Sequence, residues 1–352
     1  MTKLGPLARL AVAAVIVLTA TTAVAHYGAW TAVLAFVLAT LALAGLAWLV
    51  AIATEQVGEH LGPAATGLLQ ASVGNLPELF VVIFALRAGE RVVAQSAIVG
   101  SLFANSLLVL GIVLIVGALR RGAGGVMRFD PRITRATATM LFVCLFAIVL
   151  VALSLASGGA VAHHVDAISV IAAALLLTVY LSWIVPHVRG ERRGEAPLAA
   201  KLSLASAVAL LLIAGTASGF VSDWFVDALR PAIGQLHISP AFAGLVIVAL
   251  AGNAVENAVG ISLAAKGRSD LAISVVVSSV AQIAAFLFPL LVLISFAFHT
   301  HLTFALPGIY IGALALSAVA VWQITDDGEA RVFEGWALIA IYAILAVIAI
   351  YE

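Results

Sequence analysis

Apolar residues occur along this chain in long blocks, and the polar residues between them come in short clusters. A bilayer core is crossed by about 20 apolar residues, with ~17–25 usual. Set against that length, the blocks predict eleven transmembrane helices, over 6–25, 28–54, 62–88, 92–118, 134–157, 164–187, 201–226, 240–266, 270–297, 303–324 and 332–351. The two longest breaks, 120–135 and 189–201, carry most of the basic residues. The first block admits two readings. Lys3, Arg9 and Ala23-Val24-Ala25 resemble a secretory signal with its cleavage site, and the alternative is a retained first helix, which is the expectation adopted.

Two blocks contain a carboxylate at mid-length. Gly74-Asn75-Leu76-Pro77-Glu78 and Gly252-Asn253-Ala254-Val255-Glu256 share the pattern Gly-Asn-x-x-Glu, 178 residues apart. An acidic side chain at membrane depth costs at least ~2.5–3.5 kcal/mol on insertion scales, so each Glu marks a functional site by default. The same shift of 178 places Gly89 on Gly267 and Ser101 on Ser279. This is the signature of an internal duplication. Five helices per copy is an odd number, so the second copy must cross the membrane upside down relative to the first, and ion sites in such proteins lie where the two repeats meet.

The expected architecture is therefore an all-α membrane protein of eleven transmembrane helices. Residues 1–27 form an N-terminal transmembrane helix and 28–190 the first inverted repeat. Residues 191–200 form a basic cytoplasmic linker, and 201–352 the second inverted repeat. With the N-terminus inside, fourteen of the 17 Lys and Arg residues fall on the cytoplasmic side, leaving Arg87, Arg91 and Arg230 outside. Basic residues favour cytoplasmic loops, so the expectation is a cytoplasmic N-terminus and an external C-terminus. Alanine-rich composition and compact loops point to a bacterial inner membrane.

Composition supports membrane insertion: 64% of the 352 residues are hydrophobic and 10% charged, too few charges to cover a soluble protein of this size. The net charge is zero, which gives no reason to expect nucleic acid as a partner. The single Cys144 cannot form an intramolecular disulfide. No Cys/His cluster suggests zinc or haem, so neither a cofactor nor enzymatic chemistry is expected, and the partners are a cation, protons and the lipid bilayer. The histidines lie at or near span ends.

The pentads suit a hard cation. Gly74 and Gly252 let the backbone bend and approach an ion. Pro77 lacks a backbone donor and is expected to free the carbonyl of Val73, and freed carbonyls at membrane depth need a partner. Asn75 and Asn253 add amide oxygens, and Glu78 and Glu256 add charge. Oxygen ligands of this kind fit Ca²⁺, which takes 6–8 oxygens at about 2.3–2.6 Å. Basic residues lie only in loops or at span ends, so the two carboxylates must be protonated, hydrated or bound to a cation. Burial favours the neutral form of a carboxyl group, as does a second carboxylate nearby. One site holding a cation or protons, open to one side at a time, is an antiporter. Its protons titrate as a pair.

Other polar groups could line the ion path. Ser101 and Asn105 follow the first pentad, and Ser279 and Gln282 the second; hydrogen bonding between helices is their alternative role. Pro289 predicts a kink. Glu55 and Glu59 end the second helix, and Asp223 and Asp227 the seventh. Each pair is spaced to share one helix face at a helix end that prefers cations. Either each pair forms a cation-attracting vestibule, or it is ordinary charge near the headgroups.

The sequence resembles the Ca²⁺/H⁺ antiporter (cation/proton exchanger) family of the calcium/cation antiporter superfamily. The residues that carry the resemblance are Gly74 to Leu79, Ala85 to Glu90, Gly100 to Asn105, Leu107 to Gly111, Ser239 to Leu245, Ala251 to Glu256, Gln282 to Ala284 and Pro289 to Leu293, with Ala53 to Gln56. The resemblance implies eleven helices with the first outside the repeat, alternating access by a small bundle sliding on a scaffold, and Glu78 and Glu256 as carriers of Ca²⁺ and H⁺. Sodium/calcium exchangers of the superfamily have Ser or Thr where Asn75 and Asn253 stand, which favours proton coupling here. Three features depart from the family. Asn257 stands where His is frequent, Ser278-Ser279-Val280-Ala281-Gln282 lacks two hydroxyls and a glycine, and Pro77 is closer to the sodium/calcium branch. The rival functions are a Na⁺ or K⁺/H⁺ antiporter on the same fold and, less favoured, a Na⁺/Ca²⁺ exchanger or a cation channel.

Overall fold

The structure, a computed structural model, describes residues 6–61, 73–120, 125–190 and 202–352. It is helical apart from one short ribbon. The helices are α1 (Pro6–Tyr27), α2 (Ala32–Leu61), α3 (Leu76–Arg87), α4 (Arg91–Leu119), α5 (Pro131–Ala156) and α6 (Val165–Gly190). They continue with α7 (Leu204–Leu236), α8 (Pro240–Gly252), α9 (Ala254–Ala265), α10 (Ser269–Ser295), α11 (Gly308–Thr325) and α12 (Val332–Tyr351). Among the described residues nine helices are long and apolar enough to cross a membrane, and α8 with α9 makes a tenth span bent by 60°.

Three predicted boundaries change. The second and seventh helices continue past the ends of their apolar blocks, to Leu61 and Leu236. Charged residues end a block of hydropathy without ending a helix, because Glu, Gln and Arg are good helix formers. Asp223 and Asp227 therefore lie within α7, which tolerates Pro231 and stops where His237 takes left-handed dihedrals (φ 55°). The predicted helix 240–266 is broken at Asn253. The predicted helix 62–88 lies partly outside the described residues, and its described part is α3. Pro289 does not interrupt α10, where a π-helical turn, Ile283–Leu287, precedes it.

Burial divides the helices into two classes. In α4 and α10 72% of the most apolar window is buried, against 22–44% in the other unbroken spans. These two form the centre, and the others present apolar side chains outward, as a bilayer requires. α2 packs along α7 for most of its length, with α1 against both. α4 crosses α8 so closely that a methyl group at Gly100 would strike the Leu245 backbone, and one at Gly244 would lie 2.7 Å from the Val93 carbonyl oxygen.

Polar contacts gather at the two ends of the bundle. At one end β1 (Val126–Arg128) pairs antiparallel with β2 (Glu329–Arg331), Met127 opposite Ala330. Arg128–Glu329 (2.9 Å), Arg135–Asp326 (3.5 Å) and the Asp130 amide on Asp270 (2.8 Å) join the same cluster. At the other end Arg230 donates to Glu90 (2.6 Å), Arg91 to Thr303 (3.4 Å), and His301 meets Asp166 (3.0 Å). Residues 126–135, 270 and 326–331, assigned to one side by their basic residues, lie together, while the predicted basic linker 191–200 lies outside the described residues.

Candidate ion-binding site

The second pentad is a helix break, and the first, at the edge of the described residues, is a helix start. Asn75 precedes α3 with φ −95° and ψ 25°, and Asn253 precedes α9 with φ −90° and ψ 14°. Each pentad points a new helix start, with its unsatisfied amides, into the core. Glu78 lies in the first turn of α3 and Glu256 in the first turn of α9. A carboxylate at a helix N-terminus is electrostatically favoured, so the helix start itself offsets part of the cost of burying each charge. Pro77 also falls in the first turn, where its missing donor would have no intrahelical partner. The second pentad has Ala254 and Val255 at the matching positions and breaks its helix without proline.

The structure brings the two pentads into contact. A methyl group at Gly252 would stand 2.5 Å from Glu78 Cγ, so only glycine admits the glutamate here. Glu256 is close enough to act on Glu78 electrostatically. Glu78 is 4% exposed, and neither of its carboxyl oxygens has a hydrogen-bond partner. It borders a cavity of about 10 Å³, lined also by Leu43 of α2, Phe225 of α7 and Val248 and Ala251 of α8. That is room for one water at most. Glu256 is half-buried.

The remaining predicted residues separate into groups. Asn253 accepts from Asn105 Nδ2 (2.7 Å) and donates to Ser101 Oγ (3.0 Å) and the Ala249 carbonyl (2.8 Å). Asn105 sits in a π-helical turn of α4, Ala104–Val109, and its Oδ1 is buried without a partner. π-turns commonly mark functional positions. Asn75 is buried, and its Nδ2 lacks a partner. Gly74 and Gln282 are half-buried and Ser279 is buried. The acidic pairs stand apart. Glu59 accepts from Gln56 (2.9 Å) near the end of α2, Glu55 is exposed, and Asp227 lies 4.0 Å from His26 of α1.

Leu43 and Phe225, which cover Glu78, carry no signal in the sequence, because they are apolar residues in apolar helices. Asn257, next to Glu256, has a buried Oδ1 without a partner; its polarity in an apolar block was the available signal. Among the described residues no group of three or more His, Cys, Asp or Glu could hold a metal ion. Two carboxylates with amide and backbone oxygens can hold a hard cation that is meant to leave.

Residues 31–186 and 206–351 match the family described as sodium/calcium exchanger protein. The chain is 31% identical to a vacuolar calcium ion transporter of Schizosaccharomyces pombe, over 93% of this chain and 82% of the relative. It is 30% identical to a Ca²⁺/H⁺ antiporter of Synechocystis, over 92% of each. The solved structure of native YfkE superposes with a TM-score of 0.81 at 26% identity, covering 96% of this chain and all of the other.

Proposed function

The chain belongs to the sodium/calcium exchanger protein family, and on that premise we propose that Glu78 and Glu256 form one cation site that holds Ca²⁺ or protons in turn. The protein is an integral membrane Ca²⁺/H⁺ antiporter, a reading supported by relatives of that name that match nine-tenths of the chain. The observation that carries the site assignment is the meeting of the two pentads: Glu78, without a polar partner, packed on Gly252 and within electrostatic reach of Glu256. A buried carboxylate without a partner is stable only when protonated or bound to a cation. Each ion therefore displaces the other, and exchange follows if the site opens to one side at a time.

The architecture proposed for this is eleven spans: α1, then two inverted repeats of five. Ten spans lie among the described residues, and the predicted helix 62–88, whose described part is α3, would be the eleventh. The duplication is supported by α3 and α9, twelve residues each and in register at a shift of 178, and by Gly89 and Gly267, with φ of 78° and 77°. The family match begins at residue 31, after α1. Basic residues place the ribbon end in the cytoplasm and the C-terminus outside, in a bacterial inner membrane with Ca²⁺ moving outward. No cofactor and no bond-making step enter this mechanism.

The test is flux in proteoliposomes. An imposed pH gradient should drive Ca²⁺ uptake, and added Ca²⁺ should collapse the gradient. Uptake driven by Na⁺ and not by protons would assign the chain to Na⁺/Ca²⁺ exchange, and Na⁺ or K⁺ collapsing the gradient where Ca²⁺ does not would remove Ca²⁺ as the substrate.

A further inference from the structure

We infer that the asparagines of the two pentads have different roles: Asn75 is the amide that turns toward the cation, Asn253 is a fixed brace, and Ile283 is the residue that leaves Asn75 free. The inference rests on the reading of the pentads as a cation site.

From each asparagine onward the backbone offers both the same setting. A shift of 178 lays Leu76–Arg87 on Ala254–Ala265 residue for residue. The dihedrals of Asn75 and Asn253 agree within about 11°. The helix after each pentad holds a π-turn at matching positions, Ala104–Val109 and Ile283–Leu287. With the backbone equal, the side chains decide.

Asn253 is fully buried (0% exposed) and held by three hydrogen bonds, from Asn105 Nδ2 to its Oδ1 and from its Nδ2 to Ser101 Oγ and the Ala249 carbonyl. Rotating that amide breaks all three, and its oxygen is already engaged. The counterpart of Asn105 under the same shift is Ile283, which is buried and has no polar atom to offer. Ile283 therefore offers the Oδ1 of Asn75 no donor like the one Asn105 gives Asn253; separately, Asn75 is 4% exposed and its Nδ2 is buried without a hydrogen-bond partner. Such a donor costs stability. An amide without a tether can swing its oxygen to a cation lying between Glu78 and Glu256, and no bond has to break first. Asn105 and Ile283 thus act as positioning residues, one tying an amide down and the other leaving its twin loose.

The experiment uses the full chain in proteoliposomes, with Ca²⁺ as the probe, and reads KM and Vmax of proton-driven uptake beside the Tm of the purified protein. Asn75→Ala should raise KM at least ~10-fold with Tm near wild type. Ile283→Asn supplies the tether that Asn105 gives Asn253, and should raise KM in the same direction. Asn253→Ala should lower Tm by about 2 °C or more and raise KM less than Asn75→Ala does. Asn105→Ile, which releases Asn253 without removing it, should follow Asn253→Ala and carries the test if Asn253→Ala does not fold. Equal KM penalties at Asn75 and Asn253, or wild-type KM in Ile283→Asn, would overturn the inference while leaving the shared site intact. Wild-type protein that moves no Ca²⁺ against protons would overturn the site and this inference together.

Discussion

Asn75 and Asn253 occupy matching helix starts, yet one is followed by Leu76-Pro77 and the other by Ala254-Val255. The comparison separates what the duplicated backbone imposes from what each copy's side chains add. Both copies start a helix after the asparagine, with proline in the first turn of one and none in the other. The environment of each carboxylate is local. Glu78 is buried beside a small cavity that Leu43 and Phe225 also line, whereas Glu256 is half-buried. Two copies with the same helix starts thus bury their glutamates to different extents.

The largest expected effect removes the shared element. Glu78→Gln and Glu256→Gln each keep the shape and lose the charge, and each should cut Ca²⁺ flux by at least ~100-fold, given how strongly carboxylate count sets Ca²⁺ affinity. Equal losses from both would support a single site. Insertion and folding, read by Tm, should survive both changes.

Next in size is the contact between the copies. Gly252→Ala places a methyl group 2.5 Å from Glu78 Cγ, and relieving that overlap should cost about 1–3 kcal/mol. The expected outcome is a lower Tm together with a higher KM for Ca²⁺, because the atom displaced belongs to the ligand. A change in Tm alone would separate the packing from the site.

Acid should act on the same balance. Protons and Ca²⁺ compete, so the KM for Ca²⁺ should rise as pH falls, by up to about 10-fold per pH unit for each competing proton. The sign follows from competition: the protonated site is the one Ca²⁺ cannot enter. A KM that falls on acidification would contradict competitive binding.

Much of this was legible in the sequence, for identifiable reasons. Apolar block length gave the helices because a bilayer fixes the length of a span. The paired Gly-Asn-x-x-Glu motifs located the carboxylates because charge at membrane depth is rare. The ends of α2 and α7 were misplaced because hydropathy stops at the interface while helical hydrogen bonding continues. The break at Asn253 was not assigned because nothing in Gly252-Asn253-Ala254 forbids a straight helix; tertiary packing bends it. The asymmetry between Asn105 and Ile283 was present in the sequence, but its consequence required the hydrogen bonds.

Smaller effects sharpen the comparison. Pro77→Ala should leave flux within about threefold and stability within ~1 kcal/mol, since the second copy breaks its helix without proline. A large loss there would return proline to the mechanism. The exposed Arg128–Glu329 pair joins the ribbon strands at 2.9 Å. Arg128→Ala should cost no more than ~1 kcal/mol, as solvent-exposed ion pairs do, with flux unchanged.

The central claim is that two carboxylates on two copies make one site, and direct Ca²⁺ binding to the purified protein tests it. Isothermal titration at neutral pH should give a single Ca²⁺ per wild-type chain, with binding lost in Glu78→Gln and lost again in Glu256→Gln. Two Ca²⁺ per chain, with each substitution removing one and sparing the other, would contradict the account.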